Sequence, residues 1–555
     1  MTQHRRLGPL QNLLTWAALF AIIAGVLFFR APPNQRDIGI RTLLLGVSAS
    51  GLAFPLAALA AWAIRESTLI GRWLLRACIC LAVVPVYLNV GYQDAAIGKL
   101  GWLTSNNNQV LTPLFSGWPA AAWAHATSLL PQFTLLILFG LGTKKTYEEQ
   151  GLLEASAWQV FFHFTLRRLL PLAMLSILWG IVVCSREIAV TDLYQIGTMA
   201  EQLYLGYALN QPGGTAGNWT ADQLAQAGNI GWPISLSIFC ALAAVATLAA
   251  HMFNRQIQEN RDLKSAFPQR QPHNLNNSKL AMAAAVLMLL LLVAIPMFNV
   301  VYRVGLAVET SAQGPSLVWQ TSNAISAISK TATDHKDAFY WSAIIALTSS
   351  TVVMLTAFAS CWLARGRKGF AIALILVWVT LCGCSGPAIG ITISQLFAAS
   401  SLAPVIWLYD QTILPAVLAN SFFVWPIAVI GTWAIVSRVP KDQLDHAETE
   451  NVGALRRGVE FGVRQNARTL FGLWILLGAI CFGELSATQM VLPPGIETVP
   501  QVTLGKLHAG VDEATAALTI LTTGLIVAIA WLGWIITGIT SSQAQSLQPS
   551  NGLNR

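Results

Sequence analysis

Charge is what this sequence has least of. Only 10% of its 555 residues are Asp, Glu, Lys or Arg, against about 25% in an average soluble domain. With 55% hydrophobic residues, the composition excludes a soluble fold. The chain also has no phosphate-binding P-loop. That motif needs G-x-x-x-x-G-K-[ST], and "GLGTKKT" at Gly140–Thr146 has the residue types without the spacing. Cysteine is sparse and unpatterned for metal. All eight lie in or beside apolar runs, and Cys78/Cys80 and Cys382/Cys384 are spaced C-x-C, which is not a zinc-ribbon spacing. They read as free thiols buried with the apolar runs. His125 and His163 stand alone, so no metal site is expected. No His/Asp/Glu cluster points to an integral-membrane enzyme, and the chain is read as having no catalytic residues.

What is present is length of apolar run. A membrane span needs about 20 mostly apolar residues, and backbone groups in lipid must pair internally, so such runs are helices. Twelve candidates occur: Leu13–Phe29, Leu43–Ile64, Ala77–Tyr92, Trp118–Gly142, Leu169–Cys184, Trp232–Ala250, Leu280–Tyr302, Phe339–Ala364, Gly369–Ile393, Thr412–Val436, Thr469–Gly483 and Ala514–Gly538. The first follows His4, Arg5 and Arg6 without a clean cleavage site and is expected to be a retained helix. Pro85, Pro131, Pro387 and Pro426 fit kinked helices. With the N-terminus in the cytoplasm, alternation places 24 of the 33 Lys and Arg on the cytoplasmic side and 9 outside. The bias fixes that orientation, with both termini inside. The net charge of +8 is thus a topology signal. One outer loop, with Arg30, Arg36 and Arg41, runs against it.

A polar linker at 254–279 divides the chain into halves, 1–253 and 280–540, followed by a polar tail at 541–555 expected to be disordered. Segments recur across it. "AAWAIR" at Ala60–Arg65 is met by "SCWLAR" at Ser360–Arg365. "LLEASAWQV" from Leu152 is met by "NVGALRRGV" from Asn451. "CSREIAVT" at Cys184–Thr191 is met by "CFGELSAT" at Cys481–Thr488. The order is kept and the spacing stays near 300 positions. With six spans each, the halves run in the same sense. The expected fold is an all-α polytopic membrane protein of about twelve spans, built as two parallel six-helix repeats with a pathway between them.

Between two spans sits "EEQGLLEASAWQVFFHFTLRRLLP", Glu148–Pro171. Leu152, Leu153, Ala155, Trp158, Phe161, Phe162 and Leu166 recur at helical spacing with a polar face between. On pattern alone this is either a loop packed on its own bundle or a short helix projected toward a partner. The segment, spanning 144–171, resembles the cytoplasmic EAA loop of ABC-importer permeases. Glu148-Glu149-Gln150 takes the place of the E-A-A triplet, while Glu154 stands at the family's glycine and Arg167 at a usual proline. A second EAA-like loop lies in 438–470. There Gly453 and Ala454 fit the family's Gly-Ala, Ala447 holds the glutamate position, Glu448 falls one place late, and the prolines are absent. "GELSATQMVLPPGIETVPQVTLGKLHAGVDEATAAL", Gly483–Leu518, is similar to the last outer loop of iron(III)-type permeases.

The resemblance implies the type I ABC-importer permease fold in a fused two-half form, in the bacterial inner membrane. It implies a separate ABC ATPase, which binds the ATP, and a substrate-binding protein outside; the two fused halves suggest two copies of that ATPase. It implies iron(III), thiamine or another small solute as substrate. Glu148, Glu149, Gly151, Glu154 and Ala155 would lie in the first coupling loop, and Glu448, Gly453 and Ala454 in the second. No cofactor is expected in the chain itself.

Glu187 and Glu484 correspond between the halves, each near the end of an apolar run. From Pro171 to Glu187 is roughly 24 Å along a helix, which places the acid near the outer boundary. They read either as an outer gate or as acids capping helices. The alternative function is a secondary transporter driven by an ion gradient, which would want acids at midplane.

Overall fold

The computed structural model describes residues 33–67, 69–104, 115–141, 166–209, 275–311, 314–365, 367–399 and 402–538. The expected spans Leu13–Phe29 and Trp232–Ala250 lie outside them, as does most of the 254–279 linker. Seven helices are long and apolar enough to cross a membrane, or ten if each of three bent pairs is one span. The protein is an almost wholly helical polytopic membrane protein. Among the described residues the one departure is a hairpin of β1 (Leu306–Ser311) and antiparallel β2 (Gly314–Trp319), pairing Leu306 with Trp319.

The first half supplies α1 (Pro33–Glu66), α2 (Leu69–Leu81), α3 (Val86–Ile97), α4 (Gly117–Leu141), α5 (Leu166–Arg186), α6 (Ala189–Leu193) and α7 (Met199–Leu209). The second opens with α8 (Leu275–Leu289), a π-helical turn at Leu290–Ala294 and α9 (Ile295–Gly305). After the hairpin come α10 (Thr321–Asp334), α11 (Lys336–Ala364), α12 (Lys368–Gly383), α13 (Gly386–Ala398), α14 (Ala403–Gln411) and α15 (Leu414–Val436). Then follow α16 (Lys441–Thr449), α17 (Ala454–Arg457) running into a π-helix at Gly458–Arg464, α18 (Ala467–Phe482), α19 (Val499–Ala509) and α20 (Glu513–Gly538).

Two expected spans are broken. Ala77–Tyr92 divides into α2 and α3 with a 110° bend, and Gly369–Ile393 into α12 and α13 with a 105° bend. A proline sits at each break. Pro85 immediately precedes α3, and Pro387 opens α13, where Ser385 Oγ also accepts the Ala388 N–H. Proline cannot supply the N–H an unbroken helix needs. Pro131 and Pro426, by contrast, lie inside α4 and α15. Helix α1 begins ten residues before the expected Leu43, so Arg36 and Arg41 are on the helix and not in a loop. The linker likewise ends early, since α8 starts at Leu275.

The halves pack by the same scheme. In the first, α1 packs on α2, α4, α5 and α7, and α4 on α2, α3, α5 and α6. In the second, α11 packs on α12, α15, α18 and α19, and α15 on α12, α13, α18 and the 3-10 turn Thr488–Met490. One hydrogen bond recurs with it. Thr42 Oγ1 on α1 accepts the Met199 N–H at 3.0 Å, and Ser342 Oγ on α11 accepts the Val499 N–H at 2.8 Å, both residues displaced by 300 positions.

Small residues set the close approaches. Ala49, Ala53, Ala57 and Ala60 on α1 are fully buried. A Cβ at Gly46 would stand 2.7 Å from Ile181 Cα on α5, and one at Gly180 would collide with Ser50. With no hydrophobic drive between helices in lipid, such packing is the main source of association. The halves also interlock. Helix α8 packs on α1 and α2 of the first half, and α20 packs on α18 and on α2 and α3.

Candidate functional site

The C-termini of α5 and α18 meet at a seam between the halves. Each helix stops at a glutamate-led turn. Glu187 accepts the Ala189 N–H at 2.6 Å and the Val190 N–H at 3.1 Å. Glu484 accepts the Ala487 N–H at 2.7 Å and the Thr488 N–H at 3.1 Å. Both carboxylates therefore take up N–H groups at the start of the short turns that follow. Across the seam the Ile188 N–H donates to Ser486 Oγ at 3.3 Å. The turns cross over as well. Asp192 lies 3.1 Å from His508 Nε2 on α19, and Gln489, 297 positions after Asp192, donates to Tyr204 on α7 at 3.1 Å. Each turn thus bonds the short helix of the opposite half.

Arg186 anchors this seam. It is buried, donates to the Phe423 carbonyl of α15 at 2.6 Å, and stacks with its Cζ 4.1 Å from the Phe423 ring centre. Glu484 is also buried, with Arg186 as its nearby cation. Burial raises both glutamates, Glu187 to about 7, while the backbone N–H groups pull the other way. Arg186, Ser486, Asp192 and His508 were not singled out in the sequence. Only the position of Arg186 beside Glu187 could have pointed to it.

The second candidate region runs from α16 to α18. Two residues past the end of α16, Asn451 takes the left-handed conformation at φ 59°. The Val452 N–H reaches the Ala447 carbonyl at 2.9 Å and the Asn451 N–H reaches Glu448 at 3.1 Å. This is a Schellman end with Asn in the usual glycine position. Gly453 then caps α17, and a Cβ there would meet open space. The glycines that packing requires are Gly458 and Gly462. A Cβ on Gly462 would lie 2.8 Å from Phe358 and 2.9 Å from Trp362, which stack on α11 with centroids 6.1 Å apart. Asn466 donates to the Phe461 and Gly462 carbonyls at 3.2 and 3.1 Å, closing the π-helix before a 75° bend into α18.

The face of this segment beside those glycines is uncovered. Leu455 is 86% exposed, Val459 56% and Val463 38%, each four residues after the last. Glu448 pairs with Arg457 at 3.1 Å, and Ala454 is exposed. The first-loop positions Glu148, Glu149, Gly151, Glu154 and Ala155 lie outside the described residues. Among the described residues no group of three or more His, Cys, Asp or Glu could hold a metal ion. The seven described cysteines are free thiols.

No known protein-family model matches the chain, and no curated protein matches it.

Proposed function

We propose that this chain is the membrane permease of a binding-protein-dependent ABC importer, with two six-span halves fused as parallel repeats. It lies in the bacterial inner membrane with both termini in the cytoplasm. A separate ATPase, in two copies, drives alternating access, and a binding protein delivers iron(III) or a small solute such as thiamine. The repeated packing scheme and the paired Thr42 and Ser342 hydrogen bonds support the two-half architecture.

The observation that carries the reading is the bare Leu455–Val459–Val463 face. Beside it, Gly458 and Gly462 let the segment come close to Trp362 and Phe358 on α11. A helix with an apolar stripe is what a groove on another subunit takes up. Exposed ion pairs such as Glu448–Arg457 add only about 0–1 kcal/mol, so fit and leverage carry the coupling. At the seam, closing and opening would be biased by which contacts each state keeps.

The test is purification of the tagged chain from native membranes in mild detergent, with partners identified by mass spectrometry. An ATPase subunit is expected with the wild type and is lost in Leu455→Asp/Val459→Asp, while the melting temperature stays unchanged. If no ATPase associates even after crosslinking, the reading is wrong.

A further inference from the structure

We propose that the cavity between α2, α3, α4, α8–α9 and α20 is a binding site for one anionic phospholipid taken from the bilayer. The cavity measures about 830 Å³, within the usual range for a ligand site of roughly 300–1,000 Å³. Its walls are mainly apolar, with Leu81, Val84, Leu292, Ile520 and Val527 among them. It lies between helices whose neighbouring residues Leu290, Ile295, Leu525 and Leu532 are exposed apolar side chains. In a membrane those side chains face lipid, so the occupant enters from the bilayer and not from water.

One end of the cavity selects charge. Arg76 lines it and lies 4.7 Å from the Trp73 ring centre, 5.7 Å from Trp531 and 5.9 Å from Trp534. Among the described residues no carboxylate neutralises it. Tryptophan clusters mark the head-group level of a membrane, and a cation there between spans takes an anionic head group. Arg72 stands one turn earlier on α2, on the same side. The cavity wall also includes Gln93 and Ser128, whose Nε2 and Oγ are buried without an acceptor or donor among the described residues. Ester oxygens of a lipid would satisfy them, where a plain hydrocarbon would not.

Gly524 gives a clean probe. It lines the cavity on α20, and a Cβ added there meets nothing within 4 Å. A larger side chain at this position therefore starts from open space at the cavity wall. The cavity is distinct from the 441–466 segment, so loss of lipid and loss of ATPase binding are separate outcomes.

The experiment is native mass spectrometry of delipidated protein given phosphatidylglycerol, phosphatidylcholine or inorganic phosphate, with melting temperatures measured alongside. Wild type is expected to hold one phosphatidylglycerol with about fivefold preference over phosphatidylcholine. Arg76→Gln removes the preference, Arg76→Lys keeps most of it, and Gly524→Phe lowers occupancy by both lipids. Equal binding of the two lipids by wild type overturns the proposal. So does an unchanged preference in Arg76→Gln, unchanged occupancy in Gly524→Phe, or stabilisation by inorganic phosphate alone. If one variant fails to elute and melt as a folded protein, the other and the wild-type lipid comparison decide.

Discussion

Ile188 and Ser486 stand 298 positions apart, yet the backbone N–H of one donates to the hydroxyl of the other at 3.3 Å. The bond joins the turn after α5 to the turn after α18, the two places where an apolar helix stops short at a glutamate. Gly386, at the start of α13, closes over the same point. A Cβ there would lie 2.4 Å from Ser486 Cβ and 3.0 Å from the Arg186 carbonyl oxygen.

Gly386→Ala is therefore expected to destabilise the chain by about 1–3 kcal/mol through overpacking. Gly505→Ala on α19 is the control. Its Cβ meets open space, and a helical Gly→Ala exchange gains about 0.5–1 kcal/mol. Thermal unfolding in detergent should move down for the first and level or up for the second. Equal melting for Gly386→Ala and wild type would show the seam to be looser than its geometry.

Arg186→Met removes the cation beside Glu484 and the bond to the Phe423 carbonyl. Breaking one partner of a buried charged contact costs about 3–5 kcal/mol. Arg186→Lys should recover less than half of the loss, because an ammonium neither forks nor stacks as a guanidinium does. Melting curves of the two variants check this, and full recovery by Lys would reduce the role of Arg186 to bare charge.

Stability should depend on pH through Glu187. Burial raises its carboxyl to about 7, so the folded chain holds a proton that the unfolded chain has released. Between the ordinary carboxylate range and about 7, wild-type stability then falls as pH rises. Glu187→Gln lacks that proton equilibrium. The melting-temperature difference, wild type minus variant, should shrink steadily across this window. A difference independent of pH would show Glu187 to titrate normally.

Gly462→Val should lift the α17 segment from Phe358 and Trp362, whereas Gly453→Ala should change little. Trypsin cleavage at Arg456 and Arg457 reads the difference, since local opening controls access. About a tenfold faster cut is expected for Gly462→Val, corresponding to about 1.4 kcal/mol of local stability. The reverse order would restore Gly453 as the structural glycine.

That last comparison also shows where sequence reading stops. Apolar runs located the seven helices long and apolar enough to cross a membrane and the three bent pairs, because length and hydropathy depend on local composition alone. The recurrence of "CSREIAVT" in "CFGELSAT" marked the seam glutamates, and their capping role was open from the start. The bends at Pro85 and Pro387 could not be told from the merely interior Pro131 and Pro426. Whether a proline breaks or bends a helix depends on neighbours that re-satisfy the backbone. The same holds for glycine. Gly453 fits a familiar motif, but Gly458 and Gly462 carry the packing, and only the position of Trp362 on α11 shows it. Contacts such as Asp192 with His508 join positions hundreds apart and have no periodic signature.

Helix α8 belongs by sequence to the second half and by packing to α1 and α2 of the first. The first helix of one half is thus held by the other half. Sliding apart would strip α8 from α1 and α2 and expose the face packed on them. A chain cut in the linker should therefore stay together in the membrane.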